Sequence, residues 1–402
     1  MTIGLDASRA NRKFRGGTEW YSFHLIKELA KLDSANQYVL YCDRPLTEEL
    51  AGAISGHANF KVKILNWLLP NFWTQMRLSW EMLFHPPDRL FVPAHTLPVI
   101  HPKKSVVTIH DIGFEREREL YSSDQIGPAG GLKGKTIDTA AKLLTRGKFS
   151  SNILGYHSWS ARYALKNAKK IIAVSEFTKR EMLEVYGAEQ AKISVIHNGF
   201  DNYNYQPIAD RRRISQVLGK YGVSAPYIFY VGRLEKKKNT ARLIHAFSLM
   251  RERNKSLKHR LVLVGNAGLG FDEVKYMIEE FDLNNEVIIT GWVPEEDLPY
   301  LYNGASLFVF PSLYEGFGIP LLEAMACGAP IVASNIPALT EVAGDAAMFF
   351  NPHDNNDMAE KMARVLLDKN LAAGLIARGR ERTKNFSLKK CARETLALLE
   401  KL

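Results

Sequence analysis

The residues that carry chemistry by type and spacing fall in a few short stretches. Glu315 and Glu323 stand eight residues apart in EGFGIPLLEAMACGAPIV, which runs from Glu315 to Val332. The apolar run before them, Leu307 to Phe310, is bounded by Pro311 and Ser312 and predicts a buried parallel strand. Gly316 and Gly318 suit a tight turn with exposed backbone N–H groups, Pro320 suits the first position of a helix, and Leu321 to Ala326 continues it. Strand, glycine turn and helix N-terminus together predict an anion site. With a helix starting near Pro320, Glu323 lies about one turn in, at roughly 1.5 Å per residue, while Glu315 stays on the loop. Glycosidase carboxylates face each other across one bond; this arrangement instead lets each carboxylate touch a different part of a long ligand. Taken in isolation, the same spacing also describes a solvated loop Glu and a helix-surface Glu.

A second stretch, Gly-Arg-Leu-Glu-Lys-Lys-Lys-Asn from Gly232 to Asn239, lies between a predicted strand, Tyr227 to Val231, and a predicted helix, Thr240 to Arg251. A guanidinium fork at Arg233 and an ammonium at Lys238 in that loop would both reach a diphosphate. His110 and Asp111 close the strand SVVTIHD, at the carboxyl end where open α/β sheets bind ligands, although a lone His there is commonly a structural hydrogen-bonder. Gly16-Gly17 ends the loop after a first strand, Ile3 to Ala7, and precedes a helical repeat from Thr18 to Leu32. That order suggests a phosphate-facing turn, or only a tight connection. Gly265-Asn-Ala-Gly268-Leu-Gly270 lacks the dinucleotide spacing and predicts neither a nicotinamide nor a flavin site.

These residues need elements to position them. Further strands are predicted at Tyr38 to Cys42, Phe60 to Leu65, Arg89 to Val92, Val106 to His110, Lys170 to Ser175, Ser194 to Ile196, Leu261 to Val264, Val287 to Gly291 and Ile331 to Ser334. Helices are predicted at Phe177 to Tyr186, Leu339 to Val342, Asp357 to Leu367, Leu371 to Lys384 and Ser387 to Leu402. Alternating buried strands and helices predict parallel, doubly wound α/β sheets. A chain of 402 residues fits two such domains of about 180 to 200 residues each, joined by the polar linker Asp201 to Asp210.

Composition narrows the class. With 46% apolar and 24% charged residues the chain reads as soluble and globular. Its start, MTIGLDASRANRKF, has no apolar core of a leader, and no window approaches the roughly 18 apolar residues of a membrane span. The expected location is cytoplasmic. Cys42, Cys327 and Cys391 are scattered and suggest neither a disulfide framework nor a zinc site. The net charge of +10 is concentrated: residues 1–200 carry 27 basic and 19 acidic residues, the remainder 26 and 24. Nine basic residues against one acid, Asp138, lie between Lys133 and Lys170. With apolar residues on a helical repeat, this segment predicts two basic amphipathic helices broken near 147–152. It reads either as attracted to an anionic lipid surface or a polyanionic acceptor, or as a solvated basic face. The aromatic stretch from Trp67 to Trp73, interrupted by Pro-Asn, reads as core packing or as an exposed lipid-contacting edge.

The run Phe-Pro-Ser-Leu-Tyr-Glu-Gly-Phe-Gly-Ile-Pro-Leu-Leu-Glu-Ala-Met-Ala-Cys-Gly-Ala-Pro-Ile-Val resembles the E-x7-E signature of the family-4 retaining glycosyltransferases of the GT-B fold. AVSEFTKREM, SVIHNGFD and the G-R-x-x-x-x-K-N pattern extend the likeness, and WTQMRL with VPAHTLP is similar to bacterial mannosyltransferases of surface-polysaccharide assembly. The resemblance implies an α/β GT-B fold, two Rossmann-like doubly wound domains facing a central cleft. Residues 1–200, completed by a helix at 387–402, would bind the acceptor, and residues 201–386 the nucleotide sugar.

In such an enzyme Glu315 contacts the donor sugar and Glu323 the ribose. Arg233 and Lys238 take the diphosphate, leaving Lys236 and Lys237 as bystanders, and His110 lies beside sugar and diphosphate. Gly16 and Gly17 face donor phosphate and acceptor, backbone groups at Val293-Pro294 meet the base, and Gly316, Phe317, Gly318 and Ile319 complete the donor loop. The expected reaction is retaining hexose transfer, mannose first, from a GDP- or UDP-linked sugar to a glycan or lipid-linked hydroxyl. No cofactor or metal is expected, since no Asp-x-Asp occurs and cations already face the leaving diphosphate. Partners are the donor, the acceptor and an anionic membrane surface through Lys133 to Lys170, with association on the inner membrane face. Nucleic acid is not expected. The competing readings are a GT-B sugar-nucleotide epimerase or phosphorylase, and a polyanion-binding protein prompted by a pI near 9.3.

Overall fold

The computed structural model describes residues 1–67, 72–121 and 153–402. The chain divides into two compact units, Met1–Gly199 with Leu388–Leu402, and Phe200–Ser387. The expected basic helix near 133–146, its break at 147–152, and residues 68–71 of the aromatic stretch lie outside the described residues.

The first unit is built on seven strands: β1 (Thr2–Asp6), β2 (Gln37–Cys42), β3 (Phe60–Ile64), β4 (Arg89–Val92), β5 (Ser105–Ile109), β6 (Lys170–Ala173) and β7 (Ile193–Val195). All pair in parallel, in the order β3-β2-β1-β4-β5-β6-β7. Parallel strands buried on both faces read as continuous apolar runs, and β5, SVVTI, is buried at every position. One core lies against the helix Gly17–Leu32, the C-terminal helix Leu388–Glu400 completing it through Cys391, Ala392 and Leu399. The other face packs Trp73, Leu78 and Met82 with Ala161, Ala164 and Leu165 of the helix Ile153–Asn167. Trp67 packs beside that core and Trp73 is buried in it, its indole N–H donating to Leu65 O at 2.9 Å, so these two aromatics of that stretch are core residues, while Phe72 is half-buried outside it.

The second unit carries β8 (Tyr227–Val231), β9 (Arg260–Val264), β10 (Val287–Gly291), β11 (Leu307–Phe310), β12 (Ile331–Ser334) and β13 (Met348–Phe350), again all parallel, ordered β10-β9-β8-β11-β12-β13. In each sheet the chain winds outward to one edge and then returns past its start. The reversal falls between β1 and β4 in the first sheet and between β8 and β11 in the second. Loops leaving the carboxyl ends of strands on either side of such a reversal diverge and leave room for a ligand.

Several elements escape the sequence pattern. The edge strand β13 is only three residues long, and the helices Glu48–Ile54, Arg211–Lys220, Phe271–Glu280 and Leu298–Gly304 are not evident from apolar spacing alone. Residues 73–78 form a π-turn entered from Phe72 at φ 64°, which no sequence periodicity marks. Among the described residues no helix is long and apolar enough to cross a membrane. The three cysteines are free and buried.

Candidate active site

In the second unit the site begins where β8 and β11 end. Gly232 to Lys238 follow β8, and Ser312 to Gly318 follow β11, so the reversal brings together two stretches that the sequence keeps 77 residues apart. The Leu313 N–H donates to the Lys237 carbonyl at 2.9 Å and ties one loop to the other. Lys238 Nζ reaches the Glu315 carboxylate, which also accepts from Ser312 Oγ at 2.7 Å. Both members of the ion pair are largely shielded, with side chains 19% and 11% exposed. Lys238 Nζ also stands 5.5 Å from the Phe310 ring centroid. Glu315 is therefore no solvated loop residue, and Lys238 is neutralised by a carboxylate rather than standing free.

Arg233 differs. Its side chain is 68% exposed, with only Glu235 near, Nε to Oε2 at 3.6 Å, while its carbonyl accepts the Tyr230 hydroxyl at 2.9 Å. Lys236 pairs loosely with Glu273 at 3.5 Å and Lys237 lies 5.8 Å from the Tyr314 ring centroid, so neither joins the Lys238–Glu315 contact. The loop after β9 closes in behind: Gly265 has φ 141°, and a Cβ there would meet the Gly232 carbonyl oxygen at 2.0 Å. Only glycine permits that approach of backbone to backbone.

The donor-loop residues are buried rather than exposed from Glu315 through Gly318, while Ile319 is half-buried. Gly318 caps the helix Ile319–Cys327 at φ 107°, and a Cβ there would strike Leu339 Cδ2 at 2.7 Å. Phe317 turns into the core, edge-on to Phe386 with centroids 5.8 Å apart, so what it offers a ligand is its backbone. Val293 is buried beside the half-exposed Trp292.

Glu323 sits one turn into the helix, half-buried, and accepts a hydrogen bond from the Tyr302 hydroxyl at 2.7 Å. Tyr302 itself is fully buried, edge-on to Phe229 at 4.9 Å, so an aromatic stack aims the hydroxyl. Desolvation raises the Glu323 carboxyl to about 8, with the Glu295 and Asp201 carboxylates adding to the shift. Two glutamates eight residues apart thus hold opposite states: Glu315 is paired with a cation, Glu323 retains a proton at neutral pH. Neither Tyr302 nor the proton was signalled by the sequence.

In the first unit the expected glycine turn has a different cause. Gly16 caps the helix Gly17–Leu32 at φ −95°, an ordinary conformation, and its N–H donates to Glu19 Oε2 at 3.2 Å. Glu19 in turn accepts from Arg9 Nη1 at 3.1 Å. The Gly16 N–H at the helix start is thus met by the helix's own Glu19, a capping contact that the glycine spacing did not signal. A Cβ on Gly17 would meet nothing within 4 Å.

His110 follows β5 and donates from Nε2 to the Pro93 carbonyl at 3.1 Å, its ring edge-on to Tyr21 at 4.8 Å. A carbonyl only accepts, so Nε2 carries the hydrogen, and burial lowers the tendency of the ring to take a second proton. Asp111 Oδ1 accepts from Gly113 N at 3.1 Å and from the Tyr121 hydroxyl at 3.3 Å.

Beside it lies a pair that sequence reasoning missed. His95 Nε2 and His157 Nδ1 are 2.8 Å apart, with Phe114 packed against both rings. Burial pushes both imidazoles down, His95 furthest. The preceding residue, Tyr156, donates to Gln75 Oε1 at 2.8 Å, and the buried Gln75 Nε2 has no hydrogen-bond partner among the described residues. His95 and His157 are 62 residues apart, and no local pattern links them.

Comparison with known proteins agrees with this geometry. Residues 210–382 match the family described as Glycosyl transferases group 1, and residues 15–202 match Glycosyltransferase Family 4. The O-antigen chain mannosyltransferase B of Escherichia coli is 34% identical over 317 residues, covering 79% of this chain and 73% of that protein. The serotype-specific mannosyltransferase WbdA of the same organism is 32% identical over 227 residues, 55% of this chain but only 27% of its own length. Among solved structures, Anabaena Alr3699/HepE in complex with UDP-glucose superposes with a TM-score of 0.69 at 19% identity, over 100% of this chain and 99% of the other. That likeness is one of fold, and the fold is the α/β GT-B architecture of two Rossmann-like domains expected from the sequence.

Proposed function

Because this chain belongs to the family-4 glycosyltransferases, we propose that it transfers mannose, with retention, from a nucleotide-diphosphate sugar to a glycan or lipid-linked hydroxyl. The observation that carries the reading is the meeting of Lys238 and Glu315 at the reversal of the second sheet, beside an exposed Arg233. Arg233, Lys238 and the N-terminus of the helix Ile319–Cys327 stabilise the departing diphosphate. Glu315 orients the sugar, Glu323 holds the ribose, and His110 is assigned to the donor sugar and diphosphate. Gly16 and Gly17 serve the phosphates and the acceptor, Val293 the base, and the backbone of Gly316, Phe317, Gly318 and Ile319 completes the donor loop. The acceptor hydroxyl attacks from the leaving-group face and its proton passes to the departing phosphate, so no enzyme nucleophile is needed. GDP-mannose is the proposed donor, supported by the two mannosyltransferase relatives; the UDP-glucose bound by the Anabaena protein makes UDP-sugars the comparison.

The second element of the proposal is a reversible association with the inner membrane face, to which the basic segment from Lys133 to Lys170 contributes. Thermal shifts with a panel of GDP-, UDP- and ADP-sugars test the donor, because a ligand that binds only the folded state raises its stability. A shift with GDP-mannose above the others supports the proposal, and a shift confined to UDP-sugars replaces the donor. The reaction is proposed to proceed without a metal. EDTA should leave turnover unchanged, and activity abolished by chelator and restored by magnesium or manganese would overturn that part.

A further inference from the structure

One helix of the first unit has its polarity inverted. The helix Ser79–Phe84 buries Ser79, Glu81 and Met82, and exposes Trp80 (63%), Leu83 (51%) and Phe84 (56%). At roughly 100° per residue these three fall on one arc, and the Trp80 and Phe84 rings are 5.1 Å apart. Ile100, 41% exposed, adjoins them, its N–H donating to Ser79 Oγ at 3.3 Å. The charge that an ordinary surface helix turns outward is here turned inward. Glu81 is paired with Lys63, lies 3.7 Å from Arg77, and is approached by the His85 imidazole at 3.3 Å.

Cations lie on the neighbouring strand and loop. Side chains alternate along a strand, so Lys61 shares with Lys63 the face of the edge strand β3 that is turned to this helix. Lys103 and Lys104, both exposed, follow Ile100 in its loop. The acids between residues 57 and 104 are Glu81 and Asp88. The first is neutralised beneath the arc, and the second accepts the Thr2 N–H at 2.7 Å. A protein partner would also cover aromatic residues, but an apolar wedge with exposed lysines on the adjoining strand and loop, its nearby carboxylates engaged, matches an anionic bilayer interface, where tryptophan is favoured at headgroup depth.

We propose that Trp80, Leu83, Phe84 and Ile100 insert into the interface of an anionic bilayer while Lys61, Lys103 and Lys104 lie on its headgroups. This gives the membrane association of the preceding section a defined apolar surface, distinct from the segment from Lys133 to Lys170. It rests on that reading only in supposing that the acceptor is carried on lipid.

The test is co-sedimentation of the full chain with vesicles of equal parts phosphatidylethanolamine and phosphatidylglycerol, or of phosphatidylcholine alone. Wild type should bind the anionic vesicles, and Trp80→Ser/Leu83→Ser/Phe84→Ser should bind at least about tenfold more weakly. Lys61→Gln/Lys103→Gln/Lys104→Gln should bind like wild type only when salt is raised enough to screen both. Brominated lipid should quench wild-type emission more than that of Trp80→Phe, which reports depth at that residue whatever else binds. Equal pelleting of wild type and the triple serine variant, or equal quenching of wild type and Trp80→Phe, overturns the proposal. So does absence of vesicle binding, with or without self-association that the serine variant abolishes, which would make the arc a protein interface. The nucleotide-sugar thermal shift of the serine variant should equal that of wild type. Loss of that shift in wild type with insertion retained would sink the transferase reading and leave this surface standing.

Discussion

The carboxyl edges of the two sheets have the same winding and opposite chemistry. In the second unit the reversal gathers ionic groups, Lys238, Glu315 and Arg233, from two loops whose motifs are contiguous in sequence. In the first unit the corresponding edge gathers imidazoles, His95, His110 and His157, from separate segments, and burial holds all three below their ordinary proton affinity. A charged edge suits a ligand that brings charge of its own, such as a diphosphate. Imidazoles held neutral, beside the charged Asp111 and the Arg9–Glu19 pair, offer fixed donors and acceptors that suit hydroxyls, whose hydrogen bonds need no counter-charge. The division of labour proposed between donor and acceptor thus has a chemical basis in each unit taken alone.

The strongest test of the charged edge is to remove its cations. Arg233→Ala and Lys238→Met should each lower kcat/KM by about 10- to 1000-fold, the range for groups that stabilise leaving-group charge. Lys238→Met should also destabilise the fold by about 1 to 3 kcal/mol, since it leaves Glu315 shielded and unpaired, and Lys238→Met/Glu315→Gln should recover part of that loss. Chemical denaturation of the four proteins decides it: additive losses would mean that the contact contributes nothing. If Arg233→Ala retains wild-type kcat/KM, the exposed guanidinium is not on the diphosphate.

The two glutamates should separate next. Glu323→Ala should weaken nucleotide binding by about 1.5 to 3 kcal/mol, and Glu315→Gln should mainly lower turnover. Calorimetric titration with GDP and UDP distinguishes them, and equal nucleotide affinity in wild type and Glu323→Ala would remove the ribose assignment. On the neutral edge, His157→Asn should leave nucleotide affinity unchanged while altering acceptor KM. A change in nucleotide affinity instead would assign His157 to the donor rather than the acceptor.

What was legible in the sequence follows the same line. Strands buried on both faces read as apolar runs, so β8, β11 and β12 were located to the residue and the parallel α/β class followed. The donor loop was legible because its residues are contiguous and its glycine does work that only glycine can, as Gly318 shows at φ 107°. Short amphipathic helices such as Phe271–Glu280 were lost because a few apolar residues in ten do not fix a period. Contacts across the sheet were lost for a different reason. The Lys238–Glu315 pair, the Tyr302 hydroxyl on Glu323 and the His95–His157 contact depend on strand order, which the spacing of single residues does not encode. At Gly16-Gly17 the order of strand, glycine pair and helix did not reveal that Glu19, three residues on, accepts the Gly16 N–H.

A further test probes the retained proton on Glu323. Its carboxyl titrates near 8 in the folded chain and close to the ordinary 4.5 once unfolded, so between those values the folded state binds one proton more. The stability that this proton contributes is whole below about pH 4.5 and is lost as pH rises toward 8, at up to about 1.4 kcal/mol per unit, with no further loss above. His95, His110 and His157 act in the opposite sense, since they take up protons less readily when folded, so their contribution falls as pH drops through about 6.5. The two trends overlap in wild type, but the difference between wild type and Glu323→Gln cancels the histidines. That difference should shrink steadily from pH 5 to pH 8 and then level, as read from urea midpoints at half-unit steps. A difference independent of pH would mean that Glu323 is ionised in the folded chain, and the two glutamates would then share one electrostatic state. If the difference does shrink, ribose hydroxyls that bind the ionised carboxylate must displace its proton, and nucleotide affinity should rise between pH 6 and 8 in wild type but not in Glu323→Gln.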